Sequence, residues 1–129
     1  MRWAAALLFA SACREPVAPR LSAIQERIFT PGCTFSSCHS AQGHAGELVL
    51  EPGRSFAQLV GRDAAQETAA REGLRRVVAG DPGASFLVIK LRPGLPARYG
   101  KRMPDTAGPL DDDDRAAIEE WIRRGAPDD

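Results

Sequence analysis

Apolar residues recur at helical spacing near both ends of the chain and thin out between them. Leu21, Ile24 and Ile28, with Phe29 alongside, mark one face of a first amphipathic helix, which Pro31 and Gly32 are expected to end just before Cys33. Ile118, Trp121 and Ile122 mark the narrower face of a last helix. Its ends are signalled by charge. Asp111 can cap it, Asp112, Asp113 and Asp114 suit the positive end of the helix dipole, Arg123 and Arg124 suit the negative end, and Gly125 stops it. So narrow an apolar stripe needs a partner, and the face around Ile28 and Phe29 is the natural one. The two ends of the chain are therefore expected to meet.

Between these ends the expected elements are short. Phe56, Leu59 and Val60 predict a short helix closed by Gly61, whereas Glu47-Leu48-Val49-Leu50 is too short to classify. Residues 62–76 are rich in Ala, Gln, Glu and Arg with few apolar anchors, and read as a solvated loop or surface helix. Asp81-Pro82 places an N-cap side chain before proline at the first helical position. That pairing predicts a helix beginning there and running through Phe86, Leu87, Val88, Ile89 and Leu91, although the β-branched pair leaves a strand open. From Pro93 to Pro109 the chain holds four prolines and three glycines, an irregular stretch around Met103 of the kind that usually serves a function when ordered.

The N-terminus changes the picture of where the protein resides. Arg2 supplies positive charge, Trp3 to Ala10 an apolar stretch, and Ala10-Ser11-Ala12 small residues, which together read as an export signal over residues 1–12. Cys13 follows directly, as in a bacterial lipoprotein signal, where that cysteine becomes the lipidated first residue of the mature protein. Simple cleavage after Ala12, giving a soluble periplasmic protein, fits the same small residues. The apolar stretch falls far short of the roughly 20 residues that span a bilayer. Residues 13–20 contain two prolines and no apolar period, as a short extended tether would, leaving residues 21–129 for a single domain. The chain of 129 residues carries 17 basic and 17 acidic side chains and no basic tract, which argues against a nucleic-acid partner.

Candidate chemistry concentrates in Cys33-Thr34-Phe35-Ser36-Ser37-Cys38-His39. Two thiols followed by an imidazole read as a c-type haem attachment site, here with four residues between the cysteines instead of two. Each thiol can add across one vinyl group of the porphyrin, and the adjacent histidine supplies a nitrogen ligand to the iron. A low-spin iron that exchanges electrons needs a second ligand, and a methionine thioether opposite histidine raises the potential. Apart from Met1 the only methionine is Met103, within Lys101-Arg102-Met103-Pro104-Asp105.

The chain resembles a small single-haem c-type cytochrome of the class I kind, and more specifically bacterial envelope lipoproteins with a Cys-x4-Cys-His variant. The resemblance is carried by Ile28-Phe29-Thr30-Pro31-Gly32-Cys33, Cys38-His39-Ser40, Val77-Val78-Ala79-Gly80-Asp81-Pro82, Ser85-Phe86-Leu87-Val88, Met103-Pro104 and Ile118 to Ala126, in that order. It implies an all-α, cytochrome c-like fold in which the N- and C-terminal helices cross and the haem lies between the attachment loop and a methionine loop. Position by position, it implies thioether bonds from Cys33 and Cys38, proximal ligation by His39 and distal ligation by Met103, holding one covalent haem c. The implied role is electron transfer between redox protein partners in the bacterial envelope, by a monomeric carrier that is not an enzyme and that faces the periplasm from a lipid anchor on Cys13. The two extra residues between the cysteines must bulge out.

Other readings of the same residues stand beside this one. A Cys33–Cys38 disulfide, worth about 2 kcal/mol for so short a loop, gives a haem-free envelope lipoprotein with a binding or structural role. Cys33, Cys38, His39 and His44 have the ligand types of a zinc site, though adjacent Cys38 and His39 are awkward as two corners of one tetrahedron. His44 lies too near His39 in sequence to reach the opposite face of a haem and reads as a surface histidine. With haem attached but Met103 unbound, an open distal site suits peroxidase or ligand-sensing chemistry.

Overall fold

The structure is a computed structural model that describes residues 13–129, so the segment read as an export signal, residues 1–12, lies outside the described residues. Among the described residues regular structure is helical. There are six short α-helices and no strand beyond isolated bridges joining Val60 to Val77, Asp63 to Arg75 and Arg75 to Ser85.

The first helical stretch does not end at Pro31. α1 (Leu21–Ile24) continues through a π-helical turn over Gln25–Phe29 into α2 (Thr30–Cys33). In the wider turn the N–H of Thr30 donates to the carbonyl of Gln25, and Pro31, which has no N–H to give, falls in the first turn of α2. Cys33 is thus the last helical residue rather than the first of a loop.

A 3₁₀ turn over Ala45–Glu47 precedes an extended piece that buries Val49 and Leu50. α3 (Ser55–Leu59) then buries Leu59 completely. The stretch 62–76 does hold a short helix, α4 (Glu67–Arg71), capped by the side chain of Gln66, which accepts from the Ala69 N–H at 2.7 Å. It is not merely solvated, because Ala64 and Ala69 are buried with Phe86 and Tyr99 in a small second core. There the Phe86 and Tyr99 rings meet edge to face with centroids 5.4 Å apart.

The helix expected from Asp81-Pro82 begins later, as α5 (Phe86–Leu91), with Ser85 at its N-cap. Asp81 instead closes a turn, its carboxylate accepting the Ala84 N–H at 3.0 Å, and the buried Ser85 hydroxyl donates to the Asp81 carbonyl at 2.8 Å. Local side-chain bonding at Asp81 competes with helix extension and wins. The segment is helical, so the strand alternative is excluded.

α6 (Asp112–Arg123) runs as expected, with Trp121, Ile118 and Ile122 fully buried. Asp111 holds the N-cap position, but its side chain makes no cap bond and faces Arg14 at 3.4 Å instead. α1 packs on α6, and the chain ends are tied by bonds from the N–H of Leu21 to the Asp129 carboxylate (2.8 Å) and from the N–H of Ser22 to the Asp129 carbonyl (2.9 Å). The Trp121 indole donates to the Pro127 carbonyl at 2.8 Å. One apolar cluster gathers Ile24, Phe29, Leu59, Val77, Val88 and Trp121, with each large side chain contributing roughly 1.5–3 kcal/mol.

The segment before α1 is extended, yet Val17 is buried in the main core and Arg27 donates to the Glu15 carbonyl at 3.2 Å. Residues 14–17 are therefore laid onto the body of the domain.

Candidate cofactor cavity

Between the end of α2, the loop after it, α5 and the Met103 loop lies an apolar cavity of about 300 Å³. It brings together side chains far apart in sequence: Cys33, His39 and Met103 all line it. Phe29, Leu59, Phe86 and Leu91 supply apolar wall, while Arg76, Lys90 and Gln66 are polar members of the lining.

His39 is positioned by its own loop. Its main-chain N–H donates to the Cys33 carbonyl at 3.0 Å, and its carbonyl accepts from Leu50 at 2.7 Å. The ring is fixed as well, with Nδ1 2.9 Å from the Ala45 carbonyl oxygen. Only a protonated Nδ1 can donate to a carbonyl, so Nε2 keeps its lone pair and is the nitrogen available to a metal. Burial lowers the imidazole below its ordinary value, with the Arg76 and Lys90 cations acting the same way against the Ala45 and Leu48 backbone bonds. At neutral pH the ring is an uncharged potential ligand.

Cys33 is half-buried against the carbonyl of Ile28, and burial, then the charge of Cys38, pushes its thiol up to about 11. It is a neutral thiol in a water-poor wall, a poor starting point for the thiolate that zinc requires. Cys38 is also a free, half-buried thiol, but it does not line the cavity. Of the four residues between them Thr34 bonds back to the Thr30 carbonyl at 2.8 Å while Phe35, Ser36 and Ser37 are exposed, and Phe35 at 60 % exposure is the one large apolar side chain left open to solvent among the described residues. His44 is exposed and is not part of the cavity lining, although Ala45 next to it is.

Met103 is half-buried and packs against the main core. Its N–H donates to the Lys90 carbonyl at 2.8 Å, which ties the loop to the last turn of α5.

Arg76 and Lys90 were not legible as site residues, because each acts through main-chain carbonyls. The Arg76 guanidinium donates to the carbonyls of Gln58 (2.9 Å), Glu47 (3.0 Å) and Gly46 (3.2 Å), pinning the turn that carries Ala45. Among the described residues no acidic side chain lines the cavity, and its two charged members are both cations. The arrangement can enclose a flat apolar ligand, offer it a nitrogen and a thioether, and present positive charge to an anionic edge.

Among the described residues no helix is long and apolar enough to cross a membrane. No family model matches the chain, and neither a characterised protein nor a solved structure is significantly similar to it.

Proposed function

We propose that this protein is a single-haem c-type electron carrier of the bacterial envelope, with a cytochrome c-like arrangement of its helices and a lipid on Cys13. The observation that carries the reading is that His39 and Met103, remote in sequence, line one apolar cavity together with Cys33. When bound, the haem would supply one-electron exchange, and the chain would set ligation, polarity and access.

The residues present suit that group. With Nδ1–H donated to the Ala45 carbonyl, the neutral His39 ring keeps a lone pair on Nε2, which is the state an iron ligand needs. Met103 offers a soft sulfur on the same cavity, matched to iron in a porphyrin. Cys33 stands on the wall as the first attachment thiol, and Cys38, one residue before His39 but outside the cavity lining, would be the second. Arg76 and Lys90 suit the carboxylates that such a macrocycle carries. An apolar wall also favours the reduced, less charged iron.

Expression in a host that exports proteins and attaches haem tests the proposal. A denaturing gel stained for haem should show a band at the mass of the chain, and a visible spectrum should show a low-spin haem c. A colourless protein carrying a Cys33–Cys38 disulfide would overturn the reading in favour of the haem-free lipoprotein. Haem that binds cyanide at once in the ferric state would favour the open-site alternative.

A further inference from the structure

We infer that Lys90 is the positioning residue for the Met103 ligand, clamping its loop from inside the cavity wall; the inference rests on the proposed ligation by Met103. The loop from Pro93 to Pro109 has little regular structure beyond a 3₁₀ turn over Ala97–Tyr99. Its internal backbone bonds close only the turn from Pro96 to Gly100, and the N–H of Met103 finds its partner outside the loop.

Lys90 does this with both its main chain and its side chain. Its carbonyl accepts the Met103 N–H at 2.8 Å. Its ammonium donates to the carbonyl of Tyr99 at 3.0 Å and to that of Lys101 at 2.5 Å. One residue on α5 therefore holds alternate positions 99, 101 and 103 of the loop, and the ammonium is itself a member of the cavity lining. The stem is held in turn, since the nitrogen lies 5.9 Å from the centre of the Phe86 ring. Its ammonium bonds directly to carbonyl oxygens, and the charge of Asp105, itself paired with Lys101 at 3.5 Å, acts on it as well.

Two consequences follow for a haem protein with Met103 on the iron. Without the clamp the loop can lift, and the sixth position opens to outside ligands. Without the cation the ferric state becomes easier to reach, and the potential falls.

The test uses the holoprotein and the variants Lys90→Leu, Lys90→Gln and Lys90→Arg, with three readouts: the long-wavelength absorption band of methionine-ligated ferric haem, the rate of cyanide binding, and the reduction potential. Loss of charge-assisted hydrogen bonds to the loop should raise the cyanide rate of Lys90→Leu about tenfold or more, with a weaker methionine band and a lower potential. Lys90→Arg should restore most of the band, and Lys90→Gln should keep part of it at the lower potential. If the wild type shows the methionine band and Lys90→Leu leaves band, rate and potential unchanged, the inference falls alone. If the wild type carries haem but lacks the band, ligation by Met103 falls and the inference with it. Should Lys90→Leu fail to accumulate, Lys90→Arg and Lys90→Gln with identical bands, rates and potentials would overturn the inference.

Discussion

Gly43 lies directly against the main chain of Cys38: a Cβ added at position 43 would stand 2.7 Å from the Cys38 carbonyl oxygen and 2.9 Å from its nitrogen. The carbonyl oxygen of Ser36 would be 2.6 Å away. All three atoms are backbone, so none can swing aside, and the loop that holds Cys38 and His39 closes only because position 43 lacks a side chain.

Gly43→Ala should therefore disturb the loop that carries Cys38 and His39 while leaving the helices intact. The expected cost is about 1–3 kcal/mol of stability and, if haem is attached as proposed, a lower ratio of haem to protein than in the wild type. Gly32→Ala is the matched control. Nothing lies within 4 Å of a Cβ at Gly32, in the last turn of the first helical stretch, and a gain of about 0.4–1 kcal/mol is expected there. Thermal melting and haem content of the two variants check the contrast; equal behaviour would mean that the close approach is not limiting.

Arg76 holds three carbonyls with one guanidinium, so its removal strips partners from groups on two segments at once. Arg76→Met should cost about 2 kcal/mol, and Arg76→Lys should recover only part, because a compact ammonium cannot span the same carbonyls. Denaturant titration measures both. The Ala45 carbonyl that orients His39 belongs to the turn Arg76 pins, so a shifted His39 ring resonance should accompany the loss.

Acid should weaken the haem-free chain through His39. Its folded-state pKa is lowered below the ordinary 6.5, chiefly by burial, so between the two values the unfolded chain binds more protons than the folded one. Stability is complete above about pH 6.5 and is lost as pH falls toward and through the folded value. His39→Gln should flatten that part of the profile. Denaturation midpoints from pH 7.5 to pH 5 (roughly a unit or more on either side of the ordinary imidazole pKa) provide the measurement. An identical slope in both proteins would assign the acid sensitivity elsewhere.

If Cys13 is lipidated, Cys13→Ala should release the protein from membranes without changing its visible spectrum. Fractionation and intact mass decide the matter. An unmodified mass for the exported wild type would replace the anchor with simple cleavage after Ala12.

The ends of the molecule were legible because burial there follows helical period: Ile118, Trp121 and Ile122 mark one stripe, and the acidic start and basic finish of α6 agree with it. Pro31 misled because a π-helical turn absorbs it, and the residues around it do not announce such a turn. Asp81 misled because the same carboxylate can cap a helix or close a turn, and here it accepts the Ala84 N–H in a turn while the Ser85 hydroxyl bonds back to the carbonyl of Asp81 and the N–H of Val78. Ala64 and Ala69 carry too little apolar surface to register, although a second core is built on them. Cys33, His39 and Met103 could be singled out by ligand type, whereas Gly43, Arg76 and Lys90 could not. These last serve the cavity through backbone atoms of other residues, and such contacts leave no period or spacing in the chain.

If Cys13 carries the lipid, the burial of Val17 leaves that anchor only a short leash. Only four peptide steps separate Val17 from Cys13, and a fully stretched chain covers at most about 3.5 Å per residue, so the two are never more than about 14 Å apart. Arg14 shortens that reach further by gripping Asp114 at 3.2 Å. An acyl chain on Cys13 would moor the domain nearly flush with the lipid headgroups, acidic start of α6 foremost. Partners would have to approach it sideways along the bilayer rather than by the domain swinging out to meet them.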